Sequence, residues 1–143
     1  MTQINLLQKS KIPKKEALEE AINKLGVDFK FLENFDKFDG LDMVSCQING
    51  VKTSFEIYFD EINDELLENF PKLKSGISDF DCAVSFVWGY DYTAGASVGI
   101  ISIALIDICN SVSFYADDAM WYSRDMLIKD LPIFLAEVDK LKN

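Results

Sequence analysis

A chain of 143 residues with 24 acidic side chains, 14 basic ones and a net charge of −10 has the length of one domain and the wrong sign of charge to bind nucleic acid or an anionic membrane. Apolar residues at 49 % and charged residues at 27 % exclude a disordered chain. The complete lack of histidine removes the usual general base and the usual activator of a Ser or Cys nucleophile, and with it most conventional hydrolase chemistry.

The N-terminal stretch MTQINLLQKSKIPKK has no charged start, apolar centre and small-residue cleavage site in sequence, so a signal peptide is not expected and cytoplasmic residence is. Pro13 followed by KKEALEEAINKLG predicts a first helix, with Gly26 at its C-terminal end. Ala17, Leu18, Ala21, Ile22 and Leu25 form its apolar face, leaving Glu16, Glu19, Glu20 and Lys24 to water. Val27, Phe29 and Phe31 alternate with polar residues as in a half-buried strand, and NFDKFDG supplies a turn. Leu41 to Ile48 and Val51 to Phe59 are extended runs joined by Asn49-Gly50, the pair that a type I′ hairpin turn favours because both positions need positive φ.

Glu61 to Phe70 predicts a short helix with Ile62, Leu66, Leu67 and Phe70 inward, stopped by Pro71. Cys82 to Trp88 reads as a strand. Tyr92 to Ile106 carries no charge and is bracketed by Asp91 and Asp107; it is shorter than the ~20 residues of a membrane span and apolar all round, as a helix buried in a protein core is. Val112 to Tyr115 and Met120 to Tyr122 follow as strands. Ser123 caps a last helix with Met126, Leu127, Leu131, Phe134, Leu135 and Val138 inward, in which Pro132 predicts a kink or break. The expected fold is α+β, a single domain over residues 1–143. Its sheet is mixed and largely antiparallel, built on the Asn-Gly hairpin and packed by the buried apolar helix and the N- and C-terminal helices.

Cys46, Cys82 and Cys109 lie 36 and 27 residues apart in apolar sequence, a spacing that suits neither a disulfide framework nor a zinc site, so they read as small buried hydrophobes. NFDKFDGLD does not fit a calcium loop, since Phe38 and Gly40 fall where oxygen ligands belong, and no glycine-rich phosphate loop is present. No metal site and no cofactor is expected.

Charge is unevenly distributed. Residues 33 to 69 hold ten acidic residues and two lysines, a net −8 of the chain's −10. If a helix starts near Asp60, then Glu61, Asp64, Glu65 and Glu68 share one face, and Asp60, Glu61 and Asp64 sit near its positive N-terminal end. The face is either a solvated surface that keeps an acidic protein soluble or a docking surface for a basic partner. A second constellation is Trp88-Gly89-Tyr90-Asp91-Tyr92, where Asp91 can cap the buried helix; a third is Trp121 and Tyr122 beside Asp117 and Asp118. Each aromatic cluster is either packing or a contact site.

The Asn-Gly hairpin, the acidic Leu66-Leu67-x-x-Phe70-Pro71 helix, Ser85-Phe-x-Trp-Gly-x-Asp91, the apolar helix and Asp117-Asp118-x-x-Trp121-Tyr122 together resemble small bacterial immunity proteins. Such inhibitors are encoded beside contact-dependent growth inhibition and other polymorphic toxins, and the likeness spans residues 41 to 123. It implies a stoichiometric inhibitor without chemistry of its own, not an enzyme, whose partner is a cognate toxin domain. A basic nuclease fits best, since its cationic cleft is complementary to acidic residues. The expected partner-binding residues are Asp60, Glu61, Asp64, Glu65, Glu68, Tyr90, Tyr92, Trp121 and Tyr122. The alternative is a small ligand-binding domain or enzyme with a pocket near residues 88–92, where Asp91 with Tyr90 or Tyr92 would supply polar groups. A third possibility is an oligomer whose aromatics meet their own copy.

Overall fold

In the computed structural model, which describes residues 1–142, β1 (Thr2–Leu7), β2 (Phe29–Phe31), β3 (Met43–Ile48), β4 (Val51–Glu61), β5 (Cys82–Val87), β6 (Val112–Tyr115) and β7 (Met120–Tyr122) form one sheet. Their spatial order is β2-β3-β4-β5-β1-β6-β7. Every neighbouring pair is antiparallel, so the α+β class holds and the sheet is antiparallel throughout rather than mixed. The helices are α1 (Lys15–Lys24), α2 (Asp64–Asn69), α3 (Tyr92–Cys109) and α4 (Arg124–Lys140).

The strand that sequence reading passed over, β1, holds the sheet together. Ile4 lies opposite Ser85 of β5 on one side and Phe114 of β6 on the other. Because β1 runs against both neighbours, β5 and β6 are parallel to each other and α3 is the crossover between them. Residues Gln3 to Leu7 are all buried, so the alternation of Gln3 and Asn5 with Ile4 and Leu6 does not mark a water-facing side. The two amides are linked through one hydroxyl: Gln3 Nε2 donates to Ser113 Oγ at 2.7 Å, and Ser113 Oγ donates to Asn5 Oδ1 at 2.8 Å, while the buried Asn5 Nδ2 has no partner among the described residues.

One face of the sheet, including Leu7, Val44, Cys46, Phe55, Val84 and Phe86, is covered by α1, α3 and α4. Thirteen of the 18 residues of α3 are buried. The helix is long and apolar enough to cross a membrane, but 72 % of it is enclosed within the fold, which is the position of a core helix. Asp91 caps its start by accepting from Thr93 N at 2.9 Å, and Asn110 ends it with φ 55°. The turn residues 34–40 send Phe35 and Phe38 into the same core, where Phe38 meets Phe86 at 5.8 Å.

The hairpin forms as expected, with φ of 47° at Asn49 and 85° at Gly50 and Ile48 paired to Val51. The first helix starts at Lys15 rather than at Pro13, and Gly26 follows its end with φ 85°. Glu19 does not simply face water: its Oε2 accepts from Phe31 N at 2.9 Å, which satisfies the edge strand β2. Helix α4 is capped by Ser123 and continues through Pro132 to Lys140, so the helix does not break there.

The other face is only half covered. Ile4, Leu6, Ala83 and Phe114 form a smaller core with Leu66 of α2 and Leu73 of the 3-10 segment Pro71–Gly76. Trp121 closes it, 5.0 Å from Phe114. A Cβ on Gly76 would lie 2.6 Å from Trp121 Cη2, so only glycine lets the indole approach. The outward residues of β4, Lys52, Ser54, Glu56, Tyr58 and Asp60, are left exposed.

Candidate docking surface

The boundary between β4 and α2 decides where the acidic residues stand. Strand β4 continues to Glu61, whose backbone pairs with Cys82, and α2 begins only at Asp64 after Asn63, whose Oδ1 accepts from Leu66 N at 3.0 Å. Asp60 and Glu61 are therefore strand residues pointing to opposite faces of the sheet, not residues of a helix N-terminus. The expected helical face of Glu61, Asp64, Glu65 and Glu68 thus loses Glu61 to the strand, and α2, Asp64–Asn69, keeps only Asp64, Glu65 and Glu68.

The fold gathers a different acidic set. A groove of about 310 Å³ runs between the uncovered half of the sheet and α2, lined among others by Tyr58, Asp60, Glu65, Asn69, Phe70 and Ser85. Tyr58 and Asp60 also border a shallower hollow that adds Asp39 and Asp42, with Lys9 on its margin. Tyr58 stands half exposed between the two. Its hydroxyl donates to Glu56 Oε2 at 2.7 Å; that hydrogen bond, with the carboxylate charge behind it, raises the phenol above its ordinary ionisation range. Among the described residues, none of the ten carboxylates between residues 33 and 69 is in an ion pair; all five pairs formed lie elsewhere in the chain.

The aromatic residues expected to bind a partner do not join this surface. Tyr90 is fully exposed, and Tyr92 is half exposed at the start of α3 with its ring 6.0 Å from Phe134. Tyr122 packs 5.7 Å from Tyr115, on the sheet face covered by α3 and α4. Trp121, its neighbour in β7, points the opposite way into the small core; alternation along a strand separates the two, so Trp121 is a packing residue. Asp64 and Glu68 are exposed on α2, outside the groove. The nine expected residues thus divide between two faces of the molecule, and only Asp60 and Glu65 meet in one groove.

Tyr58, Glu56 and Ser85 were missed by sequence reading. For Glu56 and Tyr58 the signal was the alternation in Val51–Glu61, which sends Lys52, Ser54, Glu56, Tyr58 and Asp60 to one face: a tyrosine in an otherwise polar outward row is an aromatic on a surface. Asp91 is committed to structure, since its second oxygen accepts from Thr53 Oγ1 at 2.7 Å while the first caps α3. The three cysteines are unpaired and buried. Burial pushes the Cys46 thiol up to about 11 and the Cys82 thiol up to about 12, and raises Cys109 as well, so none is a ready nucleophile. Among the described residues no group of three or more Cys, Asp or Glu is placed to hold a metal ion.

An antiparallel α+β domain with an unpaired acidic groove is the class that geometry defines. Comparison with protein-family models, curated proteins and solved structures finds no match for this chain.

Proposed function

We propose that this chain is a cytoplasmic immunity protein that binds and neutralises a cognate toxin domain, a basic nuclease, through the acidic face around Tyr58. The observation that carries the reading is the concentration of carboxylates without counter-ions on a concave surface with a half-exposed tyrosine at its centre. Unpaired charge of one sign in a cleft attracts the opposite sign, and such fields raise association rates by about 10- to 10³-fold. Tyrosine is among the residues that most often dominate binding energy when ringed by polar contacts, and its ring face also accepts a Lys or Arg cation. The charge fits the task because a nuclease cleft is lined by cations that otherwise hold phosphates; carboxylates held opposite those cations compete with the substrate without any reaction.

The test is to co-express the chain with the product of the adjacent open reading frame, since an immunity gene normally lies directly downstream of its toxin. The reading predicts a one-to-one complex and survival of cells that otherwise die from the neighbour. A neighbour that neither forms a complex nor harms cells lacking this chain contradicts it.

A further inference from the structure

On the face opposite the acidic groove, a cavity of about 170 Å³ opens between β1, α3 and α4. Trp88, Tyr115, Tyr122 and Phe134 supply aromatic wall, with Tyr115 centred 6.4 Å from Trp88 and 5.7 Å from Tyr122. Two glycines of α3 line it, and they differ. A Cβ on Gly95 would fall 2.7 Å from Phe134 Cε1, so packing against α4 explains that glycine. A Cβ on Gly99 would meet nothing within 4 Å; the space beside it is empty, although glycine inside a helix costs about 1 kcal/mol relative to alanine.

Five polar side chains line this hollow: the Trp88 indole and the Tyr115 and Tyr122 hydroxyls carry N–H and O–H groups, and Gln3 and Asp130 supply acceptors. Gln3 is only 4 % exposed; its Nε2 is held by Ser113 Oγ, itself tied to Asn5, and among the described residues no hydrogen bond reaches its carbonyl oxygen. Asp130 of α4 lines the same cavity and takes part in none of the ion pairs among the described residues. The one cation nearby, the Met1 ammonium, is already engaged by the Trp88 carbonyl at 2.6 Å and lies 4.0 Å from Asp117. A mostly apolar hollow with a few convergent polar groups is the usual form of a small-molecule site, and a cavity of about 150 Å³ is enough to take benzene.

We infer that the cavity between β1, α3 and α4 is a binding site for a small aromatic amine, its ring against Trp88 and Tyr115 beside Gly99 and its ammonium donating to the Gln3 carbonyl oxygen and the Asp130 carboxylate. Asp130 is the one charged side chain among the lining residues, so its carboxylate selects a cationic ligand over an anionic one, and the aromatic rings add cation–π attraction. The site is independent of the acidic groove and stands whether or not that groove docks a toxin.

The experiment is a titration of the ¹⁵N-labelled protein with benzylamine, toluene and benzoate in turn, following the Trp88 Nε1–H and Gln3 side-chain amide resonances. Benzylamine should saturate both sets of shifts and bind about 3- to 10-fold more tightly than toluene, with benzoate weakest. Asp130→Asn should remove the advantage of benzylamine over toluene, and Gly99→Leu should abolish binding of both. If Gly99→Leu fails to fold, Gly99→Ala, whose methyl has free space, must still weaken both probes. Absence of saturable shifts at Trp88 and Gln3, or equal affinity for benzoate and benzylamine, overturns the inference.

Discussion

Substituting alanine at Gly76 and at Gly99 should move stability in opposite directions. At Gly76 the new Cβ would stand 2.6 and 2.7 Å from Trp121 Cη2 and Cζ2, and the indole cannot swing aside freely because its edge is packed 5.0 Å from Phe114 in the small core. Overpacking of this kind costs about 1–3 kcal/mol, offset by about 0.4–1 kcal/mol from the lower entropy of the unfolded alanine chain. The net expectation for Gly76→Ala is a loss of roughly 1–2 kcal/mol. At Gly99 no atom lies within 4 Å of the new methyl, so the helix-propensity gain of about 0.5–1 kcal/mol is kept. Urea unfolding followed by circular dichroism, with the slope m unchanged, reads both values and should place the two variants about 2 kcal/mol apart. A Gly76→Ala protein as stable as wild type, or a Gly99→Ala protein less stable by 1 kcal/mol or more, refutes the packing argument.

Ile103→Ala, on the fully buried face of α3, should cost about 2–5 kcal/mol through lost burial and the cavity left behind, read in the same denaturation assay. Asp91→Ala removes both the α3 cap and the acceptor of Thr53, and should cost about 0.5–2 kcal/mol; the same loss from Asp91→Asn would show that charge, rather than the hydrogen bonds, is what matters there. The thiols should label slowly in the native protein and rapidly after unfolding. Folded-state pKa values raised from 9.0 to about 11 and about 12 at Cys46 and Cys82 mean that their contribution is complete below pH 9, where both states keep the proton. It is lost as pH rises from 9 through 11 and 12, where the unfolded thiols ionise first. Denaturation midpoints should therefore fall across that alkaline window, and a Cys46→Ala, Cys82→Ala variant should show a shallower fall.

How much of this fold is legible in the sequence depends on whether one physical signal dominates locally. The hairpin is legible because Asn49-Gly50 tolerates the positive φ that few other pairs do, and α3 is legible because 15 uncharged residues have nowhere to go but a core. Strand β1 is hidden because its alternation spans only Gln3 to Leu6 before Leu7 breaks it, and because Gln3 and Asn5 look like surface residues until Ser113 is seen to pair them. The start of α2 is misplaced for a related reason. Asp60 and Glu61 resemble the acidic first turn of a helix, yet half of one sheet face is open to water, so a strand can carry charge to its end. That displacement also scatters the site: Asp60 and Glu65 reach one groove from two elements, whereas Trp121 and Tyr122, adjacent in sequence, are sent to opposite faces by the strand they share.

The claim that the acidic face docks a basic partner is tested most directly by stopped-flow association with the product of the adjacent gene at low and high salt. A variant carrying Glu56→Lys, Asp60→Lys and Glu65→Lys is compared with a control of equal charge, Glu20→Lys, Glu137→Lys and Asp139→Lys, on the helices of the other face. The account predicts that the groove variant associates about 10- to 100-fold more slowly at low salt, with the difference shrinking as salt screens the field, while the control stays within about threefold of wild type. Equal slowing of the two variants, or an unchanged rate for the groove variant, contradicts it.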